Sequence, residues 1–246
     1  MNWPALILTM FTGTAAAEPL TLSRGQLAVR GDVSIVATSR SSLGTTVHDT
    51  TPVMRAGGGF GILPWVTAGA SYAFELDDPG RAGLLTVFGA AALVQGGRLS
   101  IGVGLETTLD LGSVGDGVVA AGGAVRYQLT PAVAVFTGSP WLPGPLGHQL
   151  QLGLGPTRYA VLDLPVGVEV AFTPRVIAHA GTGLASIVLS DPGLEDRVTT
   201  LVRRNPIDAG VWVHLDGGVS LIATLSSPDL RDHDYIEVGV GARYLR

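Results

Sequence analysis

Apolar and polar positions take turns along much of the chain. From 26 to 38 the sequence reads QLAVRGDVSIVAT, with Leu27, Val29, Val33, Ile35 and Ala37 on odd positions and Gln26, Arg30, Asp32, Ser34 and Thr38 on even ones. A period of two marks a β-strand with one oily and one wet face. At 98–111, Leu99, Ile101, Val103, Leu105, Leu109 and Leu111 alternate with Ser100, Gly102, Gly104, Glu106, Thr108 and Asp110. At 161–172, Leu162, Leu164, Val166, Val168, Val170 and Phe172 oppose Asp163, Pro165, Gly167, Glu169 and Ala171. At 235–245, Ile236, Val238, Val240, Ala242 and Tyr244 oppose Glu237, Gly239, Gly241 and Arg243. These segments are longer than the roughly 5–6 residues usual for strands of globular sheets.

The joints between them add a second regularity. Short joints rich in Pro, Gly and Asp sit at 63–65, 95–98, 129–131, 172–174 and 215–218, and such residues set tight turns. Longer polar joints fall between them, at 39–51, 77–81, 112–117, 139–160, 190–205 and 227–234. Counting with this parity predicts strands at 26–38, 53–63, 65–76, 82–95, 98–111, 118–129, 132–139, 161–172, 175–189, 207–215, 218–227 and 235–245. The segment 148–159 extends a neighbouring strand or adds a hairpin, so ten or fourteen strands are the alternatives to twelve. Aromatic positions Tyr72, Phe74, Phe88, Tyr127, Phe172 and Tyr244 are expected to form the interfacial girdle.

Composition says where such strands belong. Of 246 residues 46% are hydrophobic and only 14% charged, against about 25% charged in soluble domains. No stretch approaches the roughly 20 consecutive apolar residues of a spanning helix, whereas a spanning strand needs only about 9–11. The reading is therefore all-β: a closed antiparallel transmembrane barrel with short turns at one end and longer loops at the other. The chain holds 35 Gly and no Cys, and every cation is an Arg. Disulfides and thiolate metal sites are excluded, and a net charge of −5 disfavours nucleic acid, whose phosphates demand a basic surface.

Residues 1–17, MNWPALILTMFTGTAAA, place an apolar run before Ala15-Ala16-Ala17, the pattern of a signal peptide cleaved after position 17. That leaves 18–246 as the barrel. With this leader, the LPW, LTP and FTP turns and the terminal strand YIEVGVGARYLR, the chain resembles a bacterial outer-membrane β-barrel protein. The resemblance covers about 24–246 and is one of architecture. It implies residence in the outer membrane after export, contact with outer-membrane lipid, and insertion by the barrel-assembly machinery.

With the oily face toward lipid, parity assigns the other face to a lumen. The residues expected there are Arg30, Asp32, Arg55, Glu75, Glu106, Asp110, Arg126, Asp163, Glu169, His179, Asp208, His214, Glu237 and Arg243, with many Gly between them. Acids outnumber bases, so the interior is expected to be acidic and to favour cations. Free space beside Gly suits a small passive or gated pore for small hydrophilic solutes. The alternative is a barrel plugged by Arg–carboxylate pairs, structural or adhesive and acting through its outside loops. A second alternative is a rim hydrolase like the omptins, built on Arg231-Asp232-His233-Asp234 with Asp77 and Asp78. No nucleophile elbow, HExxH, P-loop or dinucleotide fingerprint occurs, so the expectation is a non-enzyme with no cofactor, no metal and no nucleic-acid partner.

Overall fold

The computed structural model describes residues 20–42, 45–78, 80, 82–112, 117–138, 150–154, 158–191, 202–203, 207–227 and 235–246. The strands are β1 (Leu27–Ser42), β2 (Thr45–Leu63), β3 (Val66–Glu75), β4 (Leu84–Val94), β5 (Leu99–Asp110), β6 (Gly117–Thr130), β7 (Val133–Thr137), β8 (Leu150–Leu154), β9 (Arg158–Thr173), β10 (Val176–Asp191), β11 (Val202–Arg203), β12 (Ile207–His214), β13 (Val219–Ser227) and β14 (Tyr235–Leu245). Each pairs antiparallel with its neighbours, and β1 pairs β14 along Ala28–Thr38, so the sheet closes. β7 and β8 both lie between β6 and β9, and β11 and β12 both pair β10. The fourteen segments therefore make a closed barrel of twelve staves, and β8, within 148–159, extends the stave of β7.

Closure satisfies every stave on both edges, the only way a sheet can cross lipid without unpaired backbone groups. The apolar positions found by parity point outward: Leu105 is 58% and Val240 63% exposed. At the short-turn end, Phe60, Trp65, Tyr127, Phe172 and Tyr244 are all exposed, as an interfacial aromatic belt requires. Tyr72 and Phe74 stack at 5.9 Å toward the other end. Phe88 corrects the expected girdle, because it points inward and is 7% exposed. Its strand, LLTVFGAAALV, has Thr86 as its single polar side chain, too little contrast for alternation to tell its faces apart.

Two joints differ from expectation. The stretch 39–51 is mostly strand, with Ser39 opposite His48 and Ser42 opposite Thr45. Its Thr and Val favour extended backbone, but without an oily face it reads as a loop. The joint at 190–205 is entered by β10, which runs to Asp191. At the opposite end the turns are as tight as their residues demand. The β12–β13 turn places Gly217 and Gly218 at φ 76° and 81°, a region that side chains resist.

Three of the inner glycines leave no empty space. A Cβ at Gly167 would lie 2.4 Å from a ring carbon of Phe136, one at Gly69 2.4 Å from Phe88, and one at Gly210 2.5 Å from His179. Each glycine is the slot into which a ring from the next stave folds. Gly167→Ala is accordingly expected to lower stability by about 1–3 kcal/mol through overpacking, and to cost less in a Phe136→Leu background. Denaturant midpoints in detergent check this, and equal losses in both backgrounds would refute the ring contact as the cause.

Candidate functional site

Alternation puts the charged residues of neighbouring staves on one inner wall, and register decides which of them meet. On β1, Arg30 and Asp32 are two residues apart and so share a face; Arg30 Nε donates to Asp32 Oδ1 at 3.0 Å. Register sets Asp32 opposite Arg55 of β2, whose Nη1 donates to Asp32 Oδ2 at 3.4 Å and also to Glu237 of β14. Gly241 makes room on the other side, since a Cβ there would lie 2.6 Å from that of Asp32. Two cations and two anions are thus alternated across three staves, with Asp32 9% exposed.

A second pair spans a stave. Arg126 of β6 donates to Glu169 of β9 through Nη2 at 2.5 Å and Nε at 3.4 Å, a forked contact suited to the planar guanidinium. Between them on β7 stands Ala134, opposite Glu169 in register and itself buried. A larger residue there would block the contact. Glu169 also faces His179 of β10, whose Nε2 lies 3.1 Å from Asp208 Oδ2 of β12. The Phe136 ring meets the His179 ring edge-on at 6.3 Å.

Below these polar groups lies an apolar patch. Trp212, Ile177, Ile222 and Ala171 pack together on β9, β10, β12 and β13, each buried. The Arg243 guanidinium sits 4.4 Å from the Trp212 ring centre, a cation–π geometry. His214 Nδ1 and Ser220 Oγ are 2.8 Å apart beside it.

The loop end is different. Glu75 ends β3 and Asp110 ends β5, and both line a cavity of about 230 Å³ with Val53, Ala73 and Leu84. Asp110 Oδ1 accepts the Gly112 amide at 2.8 Å. Asp208 is 56% exposed, whereas Glu106 is buried on β5. Asp163 lies on β9 opposite Ser186; its side chain is outside the described residues. Among these wall side chains, the Arg–carboxylate pairs lie deeper and two carboxylates stand at the loop rim. Arg243 is two residues and Arg126 four from the short-turn ends of their strands, and Arg30 is three from its own, while Glu75 and Asp110 stand at the far rim.

Parity did not anticipate three groups on this wall. Trp212 shares the even positions of Asp208, Gly210 and His214, so alternation alone could have found it. Phe136 falls on a five-residue strand, VAVFT, too short and too apolar to show a face. Leu20, Thr21 and Leu22 precede the first strand and are buried at 0%, 1% and 3%. The rim cluster at 231–234 lies outside the described residues. Among the described residues, no group of three or more His, Asp or Glu stands placed to hold a metal ion.

No known family pattern and no curated protein sequence matches the chain. Solved structures do. The NanC porin superposes with a TM-score of 0.55 at 9% identity, over 89% of this chain and 98% of the porin. An outer-membrane channel of Pseudomonas putida F1 gives 0.55 at 12% identity, over 94% and 98%. The KdgM porin gives 0.53 at 7%, over 89% and 98%. This is the fold of a bacterial outer-membrane β-barrel. In an outer-membrane barrel the exposed Leu, Val and aromatic belt meet lipid, and the paired charges found above are interior ones.

Proposed function

We propose that the protein is a narrow outer-membrane pore for small hydrophilic solutes, with an acidic entrance and a charge-neutralised interior. The observation that carries this reading is that Glu75 and Asp110 stand at the loop rim while the Arg–carboxylate pairs lie deeper. Carboxylates at the loop rim concentrate cations, and the Arg–carboxylate pairs further in stiffen the wall without adding net charge. The fourteen candidate residues from Arg30 to Arg243 are read as the lumen lining on the same ground. Transport also agrees with the porins and the channel whose fold the chain shares, and a catalytic role is not needed. Export through cleavage after Ala17 and insertion by the barrel-assembly machinery complete the reading, with the loop end outside and the short turns in the periplasm.

One observation favours a closed structural barrel instead: the apolar patch around Trp212 and the inward rings of Phe88 and Phe136 are buried on the inner wall. Conductance of the refolded protein in planar bilayers decides. Discrete openings are expected, with a reversal potential favouring K⁺ over Cl⁻ across a salt gradient. Glu75→Gln with Asp110→Asn is expected to move that potential toward zero. Bilayers that stay silent would favour the closed barrel, and an unchanged potential in the double variant would refute the acidic entrance.

A further inference from the structure

The chain enters its first strand from inside the barrel. Gly25, at φ 80°, turns the backbone back on itself, with Gln26 N donating to Ser23 O at 2.9 Å, and Gly25 N and Gly61 O at 2.8 Å fixing the turn to β2. From there residues 24 to 20 run along the inner wall toward β6 near the short-turn end. Leu22 N donates to Thr67 Oγ1 of β3 at 2.7 Å. Thr21 Oγ1 donates to Gln95 Oε1, beside the end of β4, at 3.3 Å. Leu20 packs against Ala90 of β4 and Ala124 of β6. The segment thus reaches from β2 to β6 beneath the staves between them.

The wall is shaped to receive it. A Cβ at Gly61 would lie 1.9 Å from the Ser23 carbonyl oxygen and 2.9 Å from that of Leu22, so only glycine lets the strap pass. Ala90 stands opposite Gly104, and Gly102 opposite Ala124, which leaves a shallow seat where Leu20 lies. Across the lumen the Trp212 patch fills the other side. The strap is held inside by two buried apolar side chains, Leu20 and Leu22, and two side-chain hydrogen bonds, and it belongs to no stave, so it can leave without opening the barrel.

Resting on the pore reading, we infer that the strap at residues 20–24 is a removable stopper of the short-turn mouth, and that its release sets the conductance of the pore. Removing it exposes a seat of Ala, Gly and Thr rather than a ring of charge, so the open mouth gains width without changing ion preference.

Single-channel recordings test this with three proteins. Deletion of residues 20–24 from the mature chain is expected to raise the conductance severalfold and abolish transitions to the small level. In Thr21→Cys/Gln95→Cys, oxidation is expected to hold the small level and a reductant to restore the transitions; the chain has no other Cys to interfere. If the deletion chain folds, as judged by its gel shift on heating, and conducts no more than the intact one, the stopper is wrong and the pore stands. If both are silent, the pore reading fails and takes the stopper with it. Leu20→Asp keeps the chain length and is read in the same way should the deletion impair folding.

Discussion

Replacing Arg126 by Ala is expected to destabilise the barrel by about 3–5 kcal/mol, because it strands the Glu169 carboxylate where water does not reach it. The two side chains are 4% and 3% exposed, so neither is re-solvated when its partner goes. The pair itself is a poor source of net stability, since desolvating two ions offsets most of their attraction. Arg126→Met with Glu169→Leu is therefore expected to lie within about 1 kcal/mol of the wild type or above it. Denaturant unfolding in detergent micelles, followed by tryptophan fluorescence and by the heat-dependent gel shift, measures both. A single variant that loses less than the double would sink this account. The exposed Arg175–Asp216 contact, 64% and 88% exposed, is the internal control: Arg175→Ala should be nearly silent.

Trp212→Ala is expected to cost a similar amount, about 3–5 kcal/mol, by a different route. The ring is 1% exposed and fills the space between Ile177, Ile222 and Ala171. Its removal leaves a cavity and takes the aromatic face from under Arg243. Trp212→Phe keeps most of the filling and the face, and is expected to cost less than half as much. Arg243→Met in the wild type and in Trp212→Ala then separates the two contributions. A coupling of about 0.5 kcal/mol or more between positions 212 and 243 is expected from the cation–π contact, and additive losses would show that the guanidinium merely lies near the ring. Because the patch lies beside the lumen, water entering the cavity would lower the cost, and a loss under 1 kcal/mol would mean that the interior there is already wet.

Most of the fold was legible because closure and alternation are sequence-wide signals. Long strands such as Leu99–Asp110 carry their oily and wet faces in alternate letters, and the tight turns carry Pro and Gly. The inner wall was legible only by parity. Parity named Arg126 and Glu169 as neighbours of a lumen, but their contact depends on register across β7 and on the small side chain of Ala134, a distance no single-strand pattern encodes. The glycines misled for a physical reason. A missing side chain reads as a void in one strand, whereas Gly167 and Gly69 are filled by rings from the strands beside them. Leu84–Val94 and Val133–Thr137 hid Phe88 and Phe136 because a strand with a single polar letter, Thr86 or Thr137, shows too little contrast between its faces. The strap at residues 20–24 has no periodicity at all, and a short LTL run before a Gly gives no sign of turning inward.

The unequal strand lengths give the barrel a crown of uneven height. At about 3.3 Å per residue and a tilt near 40°, the 19 residues of β2 rise about 48 Å, against about 25 Å for the 10 of β3 beside it. The shorter matches the apolar band of an outer-membrane barrel, about 25 Å tall, so the β1–β2 ribbon stands clear of the membrane, and β9 and β10, of 16 residues each, rise on the far side of the ring. One low stretch of the crown runs along β3 to β5, of 10 to 12 residues, where Glu75 and Asp110 sit, and another along β12 to β14, of 8 to 11 residues. In the proposed pore, these two sills between the tall ribbons are the lateral ways in, and only the first is edged by Glu75 and Asp110.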